Sequence, residues 1–462
     1  MLSIIARICA RWREPGGYRE IITLAFPLIL STGATSVLHF VDRVFLTWHS
    51  PEANAASMPA GMVSMTVMAL FIGTAGYVNT FIAQNTGAGR PGRVGPNLWH
   101  GLYIAIAGGV VLLVVSLFSG PIFDLVGHDL SIRGMETDYF AIQSRWGIFP
   151  ILASAFAGFY SGRQKSWTIV WASVIGLVVN VALDYVMIFG HFGFPADGIV
   201  GAARATVIAS AVTCLFYAVL IFTPANERIY RVVSGFRFDP ALFSRLLKFG
   251  TPAGAQFVID LGGFSMFILL VGRLGVVELA ATNIVLNVNA LAFLPLLGFG
   301  VAISVIVGRQ LGAADSNGAQ RSVFSAAHIG LLLTTAVAVS FVLILRLYLS
   351  AFAIGADRTE FEPIQATSIV LLRFVAAFMV ADAVNIVFAS ALKGAGDTRF
   401  VMFMIAVLSL VGLVGPTYLA VEVLGLGVYR VWLIASIYVG VLGSSFFIRF
   451  MTGKWRSMRV IG

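Results

Sequence analysis

Four aspartates lie within otherwise apolar stretches of the sequence: Asp42, Asp184, Asp260 and Asp382. If these stretches cross a bilayer, an ionised carboxylate near its centre costs at least about 2.5–3.5 kcal/mol on insertion scales. Acids within a membrane therefore usually face a cavity and bind ions or protons. Two of the four lie in each half of the chain, and we interpret all four as ion- or proton-binding candidates. The alternative for each is a structural hydrogen bond to a neighbouring helix or a pairing with an intramembrane arginine.

Polar residues around Asp184 extend one of these candidate sites. Asn180 precedes Asp184 by four positions, which places both side chains on one face of a helix. Thr206, on the next predicted span, could join them. A carboxylate, an amide and a hydroxyl offer the oxygen ligands that a hard cation prefers. The same group could bind a proton, since burial disfavours the charged form of a carboxyl group.

The composition indicates that membrane-spanning helices position these residues. Of the 462 residues, 59% are hydrophobic and 11% are charged, whereas soluble domains contain about 45–50% and about 25%. This excludes a soluble enzyme, a disordered chain and a protein that binds nucleic acid. The net charge of +9 fits cytoplasmic loops that face anionic lipid. The six histidines form no HxxxH or HExxH pair, which argues against a zinc enzyme.

A spanning helix needs about 20 apolar residues, and the chain contains twelve such stretches. The predicted spans are residues 20–46, 53–83, 98–122, 136–160, 166–190, 197–222, 244–273, 278–307, 321–350, 363–391, 399–420 and 427–450. Of the 30 lysines and arginines, 21 fall on the side that carries both termini and five on the opposite side. Because cytoplasmic loops carry an excess of Lys and Arg, we predict an all-α polytopic membrane protein with both termini in the cytoplasm.

The two halves of the chain match at a constant offset of 225 positions. Pro27 matches Pro252, and Gly73 matches Gly298. Six spans per half cross the membrane in the same sense, so we expect two six-helix lobes related by a pseudo-two-fold axis along the membrane normal, with a cavity between them. We place the N-lobe at residues 1–235 and the C-lobe at residues 236–462. The two prolines remove backbone hydrogen bonds inside spans, which predicts hinges, with static kinks as the alternative.

Three segments that contain these residues resemble the MATE family, the multidrug and toxic compound extrusion transporters. "FPLILSTGATSVLHFVDRVFLTW" is similar to the first span of that family, with its proline and its Val-Asp pair. "NVALDYVMIFGHFGFPADGIVGAARATVIAS" is similar to the fifth and sixth spans, and "ADAVNIVFASALKGAGDT" is similar to the tenth span and its Gly-Asp-Thr end. The resemblance covers nearly the whole chain. It implies twelve spans in two lobes, export of amphipathic and often cationic compounds, and antiport against protons or sodium.

The resemblance also implies roles for residues of the N-lobe. Asp42, Asn180, Asp184 and Thr206 match a group that the family associates with protonation or cation binding. Apart from the resemblance, aromatic, methionine and amide side chains in the spans are candidates for an adaptable cavity wall, with lipid-facing or core packing as the alternative. These candidates are Phe40, Met65, Met68, Phe264, Phe267, Asn287 and Phe293.

In the C-lobe the resemblance implies a second acidic site, from which the sequence departs at two positions. Asp382 matches a tenth-span aspartate implicated in sodium binding in the NorM-like branch. Asp260 lies where that branch has Glu. The aspartate keeps the charge, but its side chain is shorter. Phe378 lies where some NorM-like members have Tyr, so this chain lacks the hydroxyl oxygen that could be a ligand there.

We therefore predict a cation-coupled antiporter, driven by H+ or Na+, that exports amphipathic cationic compounds by alternating access. The resemblance places it in the bacterial cytoplasmic membrane, with small organic substrates and membrane lipid as partners and a monomer as the default assembly. No cofactor is expected, and no metal beyond Na+. One alternative is a lipid or lipid-linked-sugar flippase of the same superfamily, which would favour a basic cavity. A second alternative is a polytopic membrane enzyme, which would need a cluster of His, Asp or Arg in a loop near the interface.

Overall fold

The computed structural model describes residues 11–12, 14, 16–126, 130–353 and 358–462. Over these ranges the chain forms helices joined by short turns and contains no β-strand. The helices are α1 (Tyr18–His49), α2 (Pro51–Gly76), α3 (Val78–Gly87), α4 (Val94–Ser116), α5 (Ser119–Val126), α6 (Leu130–Arg145), α7 (Ile148–Gly162), α8 (Trp167–Phe189), α9 (Gly198–Ile221), α10 (Pro224–Tyr230), α11 (Pro240–Gly272), α12 (Val276–Gly312), α13 (Ser316–Leu343), α14 (Leu345–Ala353), α15 (Arg358–Ala395), α16 (Thr398–Val423) and α17 (Val428–Met451).

Eleven helical stretches in the described residues are long and apolar enough to cross a membrane. Helices α2 and α3 form one of them, since they follow each other over 52–87. The predicted span at 136–160 is instead built from α6 and α7, which a turn at Trp146 and Gly147 separates. Neither helix is long enough to cross a membrane alone: α6 has 16 residues and is polar, and α7 has 15 and is apolar.

Each predicted hinge proline lies inside a continuous helix: Pro27 in α1 and Pro252 in α11. A glycine of another helix packs closely against the backbone that follows each proline. A Cβ added at Gly298 would lie 2.6 Å from the carbonyl oxygen of Leu28, and one added at Gly73 would lie 2.6 Å from Cα of Gly254. These two glycines are the pair matched by the 225-residue repeat. The repeat therefore recurs as equivalent close packing, while the hinge role of the prolines stays a prediction.

The chain divides into two compact units. The N-unit contains Leu30–Val258, Gly312–Ala314 and Val460–Gly462. The C-unit contains the described residues through Ile29, then Ile259–Leu311 and Asp315–Arg459. Helices α1 and α11 are each divided between the units shortly after their proline. The lobe boundary at residue 235 stays a prediction.

Candidate ion-coupling sites

Three helices of the N-unit bring together the four polar residues predicted from the sequence. Asp42 lies on α1, Asn180 and Asp184 lie one turn apart on α8, and Thr206 lies on α9. The hydrogen-bond network sets the orientation of the Asn180 amide: with Nδ2 turned toward the carboxyl groups, it donates to Oδ1 of Asp42 at 2.8 Å and to Oδ2 of Asp184 at 3.1 Å. The other end of the amide lies 3.4 Å from Oγ1 of Thr206.

Apolar packing one turn away holds these helices in register. Leu46 of α1, Ile188 of α8 and Ala202 of α9 belong to one buried cluster. Each lies four residues from a member of the polar site, so it projects from the same helix face. The cluster packs the three helices together next to the polar side chains.

The two acids of this site have different surroundings. Asn180 and Asp184 are fully buried, while Asp42 is partly exposed. The carboxyl groups of Asp42 and Asp184 lie within hydrogen-bonding reach of each other. Oδ1 of Asp184 is buried without a hydrogen-bond partner among the described residues. A buried acceptor without a partner, next to a second carboxyl group, is costly in free energy. Binding of a proton or a cation there removes that cost.

Tyr139 is a neighbour of this site that the sequence did not reveal. It lies on α6, within electrostatic range of Asp42 and Asp184, and its hydroxyl accepts a 3.3 Å hydrogen bond from Nε2 of Gln143. His39, one turn before Asp42, and the exposed Arg43 also lie within electrostatic range of Asp42. No sequence spacing relates a tyrosine on α6 to acids on α1 and α8, so only the fold could identify it.

The C-unit contains the second pair of predicted acids on separate helices. Asp260 lies on α11 and Asp382 on α15. Asp382 is 9% exposed, and its Oδ1 accepts a 3.1 Å hydrogen bond from Nδ2 of Asn385. Tyr438 on α17 lies within electrostatic range of both acids. Lys393, near the end of α15, lies within electrostatic range of Asp260. Asn385, Tyr438 and Lys393 were not predicted from the sequence.

The position where the sequence lacks an expected tyrosine is part of an aromatic core. The ring of Phe378 is stacked on Trp432, with the centroids 6.5 Å apart. Nε1 of Trp432 donates to Oγ1 of Thr282 at 3.2 Å. Phe378 therefore contributes packing and no ligand atom.

The seven residues predicted to line a substrate cavity differ in exposure. Met68 and Phe267 are 5% and 1% exposed, and Phe267 packs edge-on against Trp432 with a centroid distance of 6.0 Å. The other five are exposed or half-buried: Phe40, Met65, Phe264, Asn287 and Phe293. Met68 and Phe267 thus lie within packed helices, and a cavity wall built from these seven residues stays a prediction.

Comparison with known proteins assigns the chain to a family. A family model described as MatE matches residues 27–186 and 252–417. The two matches begin at Pro27 and Pro252, the prolines that the 225-residue offset had paired. The chain belongs to the MatE family. This confirms the resemblance to MATE transporters and makes the chain an integral membrane transporter and not an enzyme.

Similar sequences and structures extend over nearly the whole chain. A probable multidrug resistance protein NorM of Xanthomonas campestris pv. campestris is 31% identical over 386 residues, which are 82% of each protein. A protein of the same description from Bradyrhizobium diazoefficiens is 29% identical over 96% of this chain and 94% of its own. The outward-facing structure of a multidrug resistance MATE family transporter has a TM-score of 0.87 at 20% identity, covering 96% of this chain and 98% of that one. This likeness confirms the predicted all-α fold of twelve transmembrane helices.

Proposed function

We propose that this MatE-family chain is a proton-coupled exporter of amphipathic cationic organic compounds. The relatives described as multidrug resistance proteins NorM support a small-molecule exporter. The observation that carries the coupling is the contact between the carboxyl groups of Asp42 and Asp184 under the Asn180 amide. Two carboxylates at this distance repel each other, and one shared proton removes that repulsion.

The proximity of the two carboxyl groups favours a proton over a sodium ion at this site. The Asn180 amide can present either end to the acids: Nδ2 donates to both carboxyl groups in one orientation, and its oxygen would be a ligand for Na+ in the other. One shared proton lets carboxyl groups this close bond to each other. The sequence alone left H+ and Na+ open, and this contact supports H+ in the N-unit.

Competition for one negative charge gives a physical basis for antiport. An organic cation and a proton both neutralise the Asp42–Asp184 pair, so binding of one weakens binding of the other. Protonation from the outside would release the substrate, and loss of the proton to the cytoplasm would restore the charge that attracts the next substrate. Alternating access then couples the two fluxes in opposite directions.

The acids of the C-unit form a second site in this proposal. Asp382 and Asp260 could take up a proton or Na+ independently of the N-unit. We further propose that the protein works as a monomer in the bacterial cytoplasmic membrane, with both termini in the cytoplasm and with lobes divided near residue 235. The lopsided distribution of lysine and arginine supports this orientation.

Ethidium transport in proteoliposomes tests the proposal, with a pH gradient and a sodium gradient imposed separately. The variant Asp42→Asn keeps the shape of the side chain but removes its titratable charge. We expect the pH gradient to drive transport by wild type and the variant to lose it. Asp124→Asn is the matched control, because Asp124 is an exposed aspartate that pairs with Arg133 at 2.9 Å.

Two other outcomes would contradict parts of the proposal. Sodium-driven transport that survives Asp42→Asn would move coupling to Asp260 and Asp382. Absence of ethidium movement under either gradient, in protein shown to be folded, would refute export of cationic compounds and favour a lipid flippase.

A further inference from the structure

The C-unit holds a buried pair of hydroxyl groups beside its two acids. Oη of Tyr438 on α17 and Oγ of Ser409 on α16 are 3.0 Å apart, and both residues are 5% exposed. Tyr438 is also within electrostatic range of Asp260 and Asp382. The phenol of Tyr438 therefore lies near both acids.

The backbone around this pair is arranged for close approach. Ser409 begins a π-helical segment, Ser409–Val414, and such segments often mark functional sites in helices. A Cβ added at Gly263, less than one turn after Asp260, would lie 3.2 Å from Oγ of Ser409. On α17, a Cβ added at Gly443 would lie 3.2 Å from the backbone nitrogen of Asn385. Glycines thus let α11 approach the hydroxyl pair on one side and let α17 approach α15 on the other.

We propose that Tyr438 is a positioning residue of the C-unit ion site, held by Ser409 so that its phenol serves both Asp260 and Asp382. This inference rests on the proposed function, in which these acids bind a proton or Na+. A phenol can donate a hydrogen bond to whichever carboxylate is ionised. Asn385 donates to Asp382. In this proposal the hydroxyl of Tyr438 is the second donor, and it turns toward whichever of the two acids is ionised when the other is protonated.

The charged and titratable groups near Tyr438 come from two neighbouring helices. Asp260 faces it from α11 and Asp382 from α15. Lys393 of α15 is within electrostatic range of Asp260, and it opposes protonation of that acid. Removal of the phenol hydroxyl should therefore change the titration of the pair while Lys393 and Asn385 stay in place.

Carbodiimide labelling tests this, because the reagent modifies protonated carboxyl groups in apolar surroundings. The purified full chain is labelled over a range of pH, and modification at Asp260 and Asp382 is measured by peptide mass spectrometry. In Tyr438→Phe we expect the labelling midpoint of at least one acid to rise by about one pH unit, because loss of a donor disfavours the ionised form. Ser409→Ala should shift it less and in the same direction. Tyr429→Phe, at an exposed tyrosine on the same helix, should leave it unchanged.

Superimposable curves for Tyr438→Phe and wild type, with equal thermal unfolding, would overturn the inference. If Tyr438→Phe does not fold, Ser409→Ala keeps the ring and decides the question by its own shift or lack of one. Because labelling does not require transport, the result separates the two proposals: a shifted midpoint without coupled transport would support this role for Tyr438 and contradict coupled export.

Discussion

Replacement of Asn180 by leucine removes the donor between the buried Asp184 and the partly exposed Asp42 while it nearly preserves side-chain volume. In the wild-type site the amide donates to Asp42 at 2.8 Å and to Asp184 at 3.1 Å. A hydrogen bond to a charged group contributes about 1.5–3 kcal/mol, and one pH unit corresponds to about 1.36 kcal/mol. Loss of the donors disfavours the ionised pair, so the pair should keep its proton to a higher pH. We expect the pH profile of transport to move upward by about one to two units.

This profile is obtained from transport in proteoliposomes when the internal and external pH are changed together and the difference between them is kept constant. Asn85→Leu is the matched control, because Asn85 is a buried amide whose Nδ2 donates to the carbonyl of Phe81 in its own helix, at 2.9 Å. Both variants lose a buried amide, but only Asn180→Leu should shift the profile. A profile that keeps its midpoint and only loses amplitude in Asn180→Leu would refute our reading of the amide as the group that sets proton affinity.

Three further expectations concern packing, a buried ion pair and pH. Gly73→Ala should reduce the free energy of unfolding by about 1–3 kcal/mol and so lower the thermal unfolding temperature, because its Cβ would lie 2.6 Å from Cα of Gly254. Arg449→Met should cost about 3 kcal/mol in denaturant unfolding, because it leaves Asp397, 8% exposed, without its 2.8 Å partner. Hydrogen bonds from the side chain of Ser234 and from backbone amides hold the pKa of Glu227 below its ordinary value. That support is present above the ordinary pKa and is lost as pH falls through the lowered one. The protection factor of the Ser234 amide, which is the intrinsic exchange rate divided by the measured rate at the same pH, should therefore fall there.

Each of these expectations has a control within the chain. Gly33→Ala has open space around its new Cβ and should be neutral or stabilising; equal losses for both glycines would contradict the packing argument. Arg204→Met removes an exposed ion pair with Asp197 and should cost less than about 1 kcal/mol. In Glu227→Gln the pH dependence of this protection factor should disappear, and its persistence would assign the effect to another group.

The span pattern could be predicted because hydropathy is a property of each segment by itself. The predicted spans and the helices agree within a few residues at most boundaries. The fourth predicted span is the exception, because it is built from two helices: α6 is polar and ends at Arg145, and α7 begins at Ile148. A short polar helix such as α6 is recognised as part of a membrane span only when it is considered together with the adjoining helix α7.

The N-unit site could be predicted for a different reason, since charge in an apolar segment is costly and therefore conspicuous. Asp42 and Asp184 stood out on that ground, and the four-residue spacing added Asn180. Tyr139 carries no such signal, because an uncharged tyrosine in a span is ordinary. Its place beside the acids is decided by how α6 packs against α2 and α9, which no local pattern encodes.

The C-unit site shows where the same reasoning stops. Asp260 and Asp382 were visible as acids within apolar stretches, yet the groups near them come from α15, α16 and α17. Besides Lys393, these groups are an amide, a serine and a tyrosine. A neutral polar side chain costs little in a helix that can bond it to its own backbone, so its type alone does not show whether it serves another helix. Ser409 illustrates this: its hydroxyl turns to Tyr438 where the α-helix gives way to a π-helical turn. In the proposed mechanism the acids bind the coupling ion, and the neutral donors around them set the pH at which they do so.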